Sequence, residues 1–274
     1  MWYRQLLLNR RLVIFFAVAF GITWSAWSVL GWMARARMVA YGLWPFMVLY
    51  VMGGLGPTIA AYIAVLSTSA QAPLREFHRR LFRWRVAGRW YVIAIALPVS
   101  LAIISTMIVI HLNRDLAGAL SVRPWIMFLP LFAMMIVGGG LEELGWRGVA
   151  QPELTSAIGP AKAALLVGLV WAIWHVPLFF LPGVSQYGGN FPVFAIGVIA
   201  NALMLGWLYS RTDSILLCIV FHASSNAITA LGFAIPHGSG WWVLLGPCLN
   251  VLVGALLWFA LPVRSSARAA ANWS

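Results

Sequence analysis

The stretch LVIFFAVAFGITWSAWSVLGW, residues 12–32, runs for 21 positions without a charged residue. About 20 mostly apolar residues in a helix are enough to cross the hydrocarbon core of a bilayer, which is about 30 Å thick. The run is too long for the core of a signal peptide, and it lacks a clean small-x-small cleavage site. It is therefore predicted to stay in the protein as the first transmembrane helix.

The composition of the whole chain has the same character. Hydrophobic residues make up 62% of the 274 positions, charged residues make up 9%, and the mean hydropathy is +0.90. Soluble proteins contain about 45–50% apolar residues and about 25% charged residues. The composition excludes an ordinary soluble domain and indicates a polytopic membrane protein.

Apolar runs of sufficient length predict an all-α transmembrane bundle of about eight spans. The predicted helices lie near residues 12–33, 43–68, 90–112, 125–146, 160–182, 191–210, 213–235 and 240–262. Connections this short leave no room for a second, soluble domain.

The net charge is +12, and the basic residues flank the apolar runs. This placement favours anionic lipid headgroups as the partner, and no nucleic acid is expected. Positive short loops remain cytoplasmic, so Arg4, Arg10, Arg11 and the arginine-rich stretch 73–90 predict that both termini are cytoplasmic. Arginine is strongly preferred over lysine, with Lys162 alone, which suggests a high-GC bacterial genome and hence a bacterial plasma membrane.

The arginine-rich stretch PLREFHRRLFRWRVAGRW, residues 73–90, also contains apolar side chains at roughly helical spacing, among them Phe77, Leu81, Phe82 and Trp84. This pattern is typical of an amphipathic helix in the headgroup layer. A basic loop that only sets the topology would fit the pattern equally well.

The stretch GGGLEELGWRG, residues 138–148, places two acidic residues at the end of an apolar run. A charged group near mid-membrane costs about 2.5–3.5 kcal/mol, so such groups face a cavity or one another. Glu143 and Arg147 are four residues apart and can pair on one helical face. Glu142 points about 100° away, and a carboxylate in such a poorly solvated setting suits general-base chemistry.

Two other interpretations of this stretch remain open. One is a helix-end ion pair at the interface with one spare, solvated glutamate. The three glycines, Gly138 to Gly140, indicate either close helix packing or a local break that admits water.

Two later apolar helices contain histidines. WAIWHVPLF, residues 171–179, places His175 at the end of a helix, where a packing histidine with a hydrogen bond is the alternative. FHASSN, residues 221–226, places His222 and Asn226 on one helical face, where a satisfied interhelical contact is the alternative.

Together these residues are the types that hydrolysis uses, and their convergence on one cavity would explain all of them. Glu142 can deprotonate a water molecule. His175 and His222 can orient that water, shuttle a proton or hold a metal. Asn226 can donate a hydrogen bond to the oxyanion that forms when a peptide carbonyl is attacked.

The ordered motifs E-E-x-x-x-R, W-x-x-x-H and H-x-x-x-N resemble the CPBP family of intramembrane proteases, whose eukaryotic members are the type II CAAX prenyl endopeptidases. The resemblance covers about residues 125–235. It implies an α-helical membrane fold with a water-filled cavity, in which a glutamate activates water for amide hydrolysis. Carried over by position, it implies the following site: Glu142 as the base, Glu143 as a supporting carboxylate held by Arg147, and His175, His222 and Asn226 completing it.

With this resemblance the single membrane domain divides into three parts. Residues 1–124 hold the N-terminal helices and the basic cytoplasmic amphipathic loop, 125–235 form the protease-like catalytic core, and 236–274 hold the last helix and a short cytoplasmic tail.

The family is often labelled metalloprotease, but the sequence lacks the H-E-x-x-H spacing of a clear zinc site. Glu142, His175 and His222 can still ligate Zn²⁺ as a three-residue set with an open water position. The sequence favours a metal-free, glutamate-activated water over this alternative.

The predicted function is an intramembrane endopeptidase acting on a lipid-anchored or membrane-embedded peptide or protein, in CAAX-type processing or in bacteriocin or peptide processing. A non-catalytic membrane scaffold or immunity protein could keep the same fold and motifs. A proton-coupled transporter would also bury carboxylates and histidines, but its typical internal symmetry is absent from the sequence.

Overall fold

The computed structural model describes residues 10–67, 71–233 and 240–260. Within these ranges the regular elements are all helical, as predicted. Apart from the single turn Glu143–Gly145, the α-helices are α1 (Arg10–Arg35), α2 (Trp44–Gly54), α3 (Gly56–Leu66), α4 (Gln71–Leu81), α5 (Gly88–Leu112), α6 (Phe128–Val137), α7 (Gln151–Ile158), α8 (Pro160–Trp174), α9 (Phe191–Thr212), α10 (Ile215–Leu231) and α11 (Leu245–Ala260).

The number of membrane-crossing segments agrees with the prediction of about eight. Among the residues that the structure describes, six segments are long and apolar enough to cross a bilayer, and the pair formed by α2 and α3 makes a seventh. Helix α10 is an eighth apolar segment, but at 17 residues it is shorter than the others. Arg4 and the predicted helix ends at 68, 234–235 and 261–262 lie outside the described ranges.

The second segment bends by 41° between α2 and α3. Pro57 lacks an N–H group and cannot donate to the carbonyl of Gly53, four residues earlier. The hydroxyl of Thr23 on α1 donates to that carbonyl instead, at 2.7 Å. A side chain from the neighbouring helix thus satisfies the backbone group that the proline leaves free.

The fourth segment differs from the predicted continuous helix over 125–146. Helix α6 ends at Val137, and after Gly138 and Gly139 the chain continues as a 3₁₀ turn, the turn Glu143–Gly145, a π-helical turn at Trp146–Ala150 and α7. The glycine triplet therefore marks a local break in the span. The acidic pair lies directly after this break.

Small residues bring α8 and α9 close together behind the acidic pair. A Cβ atom built on Gly168 would lie 2.8 Å from the Cβ of Ala202, and one on Gly206 would lie 2.5 Å from the Cβ of Ala164. Close approach through small residues is typical of helix packing in membranes. On the other side, α10 packs against α5 and α6.

Helix α4 packs on the bundle, so its apolar face is only partly available to lipid. Phe77 is fully buried and touches Gly148, whereas Phe82 and Trp84 follow the end of the helix and are exposed. The Arg79 guanidinium donates to both oxygens of Glu76 and to Asp213 in the turn between α9 and α10. The hydrogen bond from Arg79 holds the pKa of the Glu76 carboxyl below its usual range, so this ion pair stays charged at neutral pH.

Candidate active site

The predicted pair between Glu143 and Arg147 is observed at the centre of the bundle. Arg147 Nη1 lies 3.0 and 2.8 Å from the two carboxylate oxygens of Glu143, and both side chains are fully buried. A single helical turn places the two residues on one face, as their spacing predicts. Arg147 Nη2 also donates to the backbone carbonyl of Ala202 on α9 at 3.4 Å.

His222 joins the same carboxylate from α10. Its Nδ1 atom lies 2.9 Å from Oε1 of Glu143, and the residue is 6% exposed. A carboxylate only accepts hydrogen bonds, so Nδ1 carries the proton in this pair. The Nε2 atom of His222 is the ring nitrogen that does not contact Glu143.

Glu142 faces a different neighbour from Glu143, as the sequence predicts. The indole N–H of Trp171 on α8 donates to Oε2 of Glu142 at 2.8 Å. Both residues are buried, with 8% of Glu142 and 3% of Trp171 exposed. The carboxylate is thus held by a neutral donor, while the adjacent Glu143 is held by a cation.

The side chain of Trp171 also contacts two other predicted site residues. The Arg147 guanidinium lies 5.2 Å from the centroid of its ring, within the range of a cation–π contact. The ring of His222 meets it edge-on at 5.2 Å between centroids. One tryptophan therefore connects Glu142 to the group formed by Glu143, Arg147 and His222.

His175 lies just after α8, on another side of Trp171. Its Nδ1 atom lies 2.8 Å from the backbone carbonyl of Trp171, so Nδ1 is the protonated nitrogen and Nε2 can accept. The ring packs edge-on against Trp174 and Phe194, at 4.7 and 5.1 Å between centroids. His175 thus contacts Trp171 and lies beside the site.

Asn226 approaches the site over the break in the fourth segment. A Cβ atom built on Gly139 would come within 2.4 Å of Asn226 Nδ2 and 3.0 Å of His222 Nε2. The amide nitrogen of Asn226 and Nε2 of His222 therefore both lie close to the α-carbon of Gly139. The carbonyl of Gly139 accepts the backbone N–H of Glu142 at 2.9 Å, which ties this position to the acidic pair.

The suggested zinc set is not supported by the geometry. Across residues 10–67, 71–233 and 240–260, no three histidine, cysteine, aspartate or glutamate side chains lie together in an arrangement that could hold a metal ion. Glu142, His175 and His222 are spread around the indole of Trp171, and so they do not fit the compact set that catalytic zinc requires. Among the described residues the structure therefore gives no support to Zn²⁺ ligation by these three side chains.

Comparison with known proteins gives two findings. Residues 123–228 match the family model described as type II CAAX prenyl endopeptidase Rce1-like. A CAAX prenyl protease 2 of Methanococcus maripaludis is 24% identical over 229 residues, which cover 78% of this chain and 82% of that protein. The resemblance to the CPBP, or type II CAAX protease, family is confirmed.

The predicted enzyme class, a CAAX prenyl protease-like peptidase, is confirmed by the same comparisons. The apolar segments agree with an integral membrane protein. The range that matches the CAAX protease family model contains all three motifs and all the predicted site residues.

Two residues of this CAAX protease-like core were not among the predicted site residues. Trp171 appears in the W-x-x-x-H motif, but nothing in the sequence indicates which acceptor its indole would meet. Gly139 lies in the glycine triplet, but the sequence does not tell which of the three glycines faces His222 and Asn226. Both assignments depend on contacts between distant segments of the chain.

Proposed function

We propose that this protein is an intramembrane endopeptidase that hydrolyses a peptide bond of a lipid-anchored or membrane-embedded substrate with a water molecule activated by Glu142. The observation that carries the proposal is the position of this carboxylate. It is buried beside Trp171, and the same indole touches His222, whose Nε2 atom lies close to Gly139, as does the amide of Asn226. The match to the CAAX protease family supports it.

In the proposed reaction Glu142 removes a proton from water, and the water oxygen attacks the carbonyl carbon of the scissile peptide bond. The negative charge that develops on the carbonyl oxygen is stabilised by the amide N–H of Asn226. Glu142 then transfers the proton to the leaving amine as the carbon–nitrogen bond breaks. The products are a new carboxylate and a new amino terminus.

The two histidines assist this reaction as acceptors. Because Glu143 holds the Nδ1 proton of His222, the Nε2 lone pair can accept a hydrogen bond from the attacking water and orient it. Arg147 fixes Glu143 and, through it, the ring of His222. His175 also presents Nε2 as an acceptor and lines the site beside Trp171.

The membrane setting and the similar archaeal protein support a proposal for the substrate class. The similar protein of Methanococcus maripaludis is a CAAX prenyl protease 2. For this chain we propose a membrane-associated peptide or protein, either of the CAAX type or a peptide such as a bacteriocin precursor. The buried position of the catalytic groups among apolar helices favours a substrate that is already held at the bilayer.

The experiment that tests the function compares the protein termini of membranes that contain wild-type protein or Glu142→Ala. We expect new amino termini in wild-type membranes that are missing with Glu142→Ala, while both proteins fold and accumulate equally. Glu76→Gln is the matched control, because Glu76 is exposed on α4 and should leave cleavage unchanged.

The same comparison separates the alternatives. A scaffold or immunity protein would keep its phenotype with Glu142→Ala, and a transporter would lose flux without any change in termini. Either result, with no Glu142-dependent termini, would contradict the proposed peptidase function.

We further propose that the protein lies in a bacterial plasma membrane with both termini cytoplasmic. The arginines of residues 73–90 support this orientation, together with Arg4, Arg10 and Arg11 near the amino terminus. Fusions of green fluorescent protein to either terminus should fluoresce, and fusions of alkaline phosphatase should be inactive. An active phosphatase fusion at one terminus would contradict the orientation.

A further inference from the structure

We propose that Trp171 is a positioning residue that holds the Glu142 carboxylate in its working orientation through the indole N–H. This proposal rests on the proposed function, because it assigns a task to the neighbour of the suggested base. Trp171 is not itself placed against the substrate or the reacting water.

Trp171 and Glu142 form a short, buried hydrogen bond. The indole N–H of Trp171 lies 2.8 Å from Oε2 of Glu142, and both groups are almost inaccessible to solvent. A carboxylate side chain has several rotamers of similar energy, and a buried donor with fixed geometry selects one of them. With Oε2 held by the indole, the proposal assigns Oε1 to the attacking water.

The indole of Trp171 cannot easily move. Arg147 lies over the ring, His222 and Trp146 contact it, and the ring is 3% exposed. The backbone carbonyl of the same residue receives His175. Because the Trp171 indole is held on several sides, we expect it to determine the orientation of the Glu142 carboxylate, and not the reverse.

The positioning role requires a tryptophan at position 171, whereas packing alone does not. Phenylalanine would fill most of the same space and keep the contacts with Arg147 and His222, but it has no N–H group. A purely structural role would therefore be met by either aromatic residue. Only the positioning role requires the indole nitrogen, and this difference makes the proposal testable.

The test uses Trp171→Phe in the full-length protein reconstituted in lipid nanodiscs, with a peptide substrate identified by the comparison of termini. We expect kcat to fall by about 10- to 100-fold, the range that corresponds to losing one hydrogen bond to a charged group. KM should stay near its wild-type value, since Trp171 is not placed against the substrate.

Trp27→Phe is the matched control. Trp27 is also 3% exposed, and its indole N–H donates to the backbone carbonyl of Tyr50 at 2.9 Å rather than to a proposed catalytic group. Both variants lose a buried indole hydrogen bond, so the unfolding temperature should fall to a similar degree in each. Only Trp171→Phe should lose kcat.

A second measurement reads the contact without using activity. In protein labelled with ¹⁵N at the indole nitrogens, the Trp171 signal is assigned by its loss in Trp171→Phe and the Trp27 signal by its loss in Trp27→Phe. We expect Glu142→Ala to shift the Trp171 signal and to leave the Trp27 signal in place. An unchanged Trp171 signal would overturn the proposal whatever the activity.

The outcomes also separate this proposal from the proposed function. If Glu142→Ala abolishes cleavage but Trp171→Phe retains the wild-type kcat, the peptidase function stands and the positioning role is wrong. If Glu142→Ala cleaves as well as wild type, the proposed function is wrong, and the positioning of a catalytic base fails with it even where the indole contact is observed.

Discussion

The Nδ1 atom of His222 lies 2.9 Å from Oε1 of Glu143, although 79 residues separate them in the chain. The same carboxylate receives Arg147 at both oxygens, so one fully buried acid holds a cation from its own segment and an imidazole from α10. Glu143 therefore links the E-E-x-x-x-R motif to the H-x-x-x-N motif through hydrogen bonds. The adjacent residue Glu142 has a separate partner, the Trp171 indole, and is the proposed base.

Removal of the guanidinium should strongly destabilise the protein. Arg147→Met leaves the Glu143 carboxylate fully buried without its cation, which costs about 3–5 kcal/mol in comparable buried pairs. The double variant Glu143→Gln/Arg147→Met removes both charges and should recover part of this loss. Unfolding of the purified protein in detergent would measure the difference.

Arg79→Met is the control for this prediction. Arg79 pairs with Glu76 on the exposed side of α4, where an ion pair contributes about 1 kcal/mol or less. If Arg147→Met destabilised the protein no more than Arg79→Met, the buried pair would not have the proposed structural role.

A methyl group at Gly139 should disturb the site. In Gly139→Ala the Cβ atom would lie 2.4 Å from Asn226 Nδ2, so one of the two must move by about 1 Å. A displacement of this size in a catalytic arrangement can lower the rate by about 100-fold. Cleavage of the identified substrate should therefore fall, with little change in expression.

Gly138→Ala is the neighbouring control. Its Cβ atom would meet nothing closer than 3.4 Å, and its φ of −77° suits alanine. We expect near wild-type cleavage from Gly138→Ala. Equal losses in both variants would indicate that the break in the span needs flexible glycines, rather than close approach at Gly139 alone.

Loss of the carboxamide should affect the chemical step. Asn226→Ala removes the proposed donor to the oxyanion, and such donors contribute about 10²- to 10³-fold to kcat. Ser225→Ala, on the same helix, should leave kcat unchanged. A rise in KM with an unaltered kcat would show instead that Asn226 binds substrate in the ground state.

We expect the burial of Phe77 to stabilise the packing of α4 on the bundle more than the ion pairs with Asp213 do. Phe77→Ala empties a fully buried position and should cost about 3–5 kcal/mol. Asp213→Asn removes the negative charge that faces Arg79 and Arg83, each 3.2 Å away, but this partly exposed network contributes only about 0.2–1 kcal/mol per pair.

Asparagine is the appropriate replacement at 213, because the residue has a φ of +51° and asparagine tolerates this left-handed conformation. Unfolding at low and at high salt would separate the two contributions, since salt screens the exposed charges and leaves the aromatic contact. A larger loss from Asp213→Asn than from Phe77→Ala would contradict the prediction.

Local features of the site were predictable from the sequence. Apolar length places the spans, and a spacing of four residues puts Glu143 and Arg147 on one helical face. The same spacing puts His222 and Asn226 together on α10. The order of the three motifs was enough to indicate the protease family.

Other features of the fold and of the site depend on which segments pack against one another. The aromatic and basic pattern of residues 73–90 predicted an interfacial helix, but Phe77 is covered by Gly148 of a segment some 70 residues later. The set of Glu142, His175 and His222 has the right residue types for zinc, yet the side chains are arranged around Trp171. Residue type and spacing within one helix do not determine such distances.

The sequence alone determined an all-α membrane protein with an acidic pair at the end of an apolar run and a protease-like set of motifs, because hydrophobic length and helical periodicity are local properties of the chain. The tertiary structure decided which oxygen of Glu142 meets the Trp171 indole, which nitrogen of His222 contacts Glu143 and where Gly139 interrupts the fourth segment. These contacts join residues far apart in the chain, and only the close packing of several helices places them within hydrogen-bond distance.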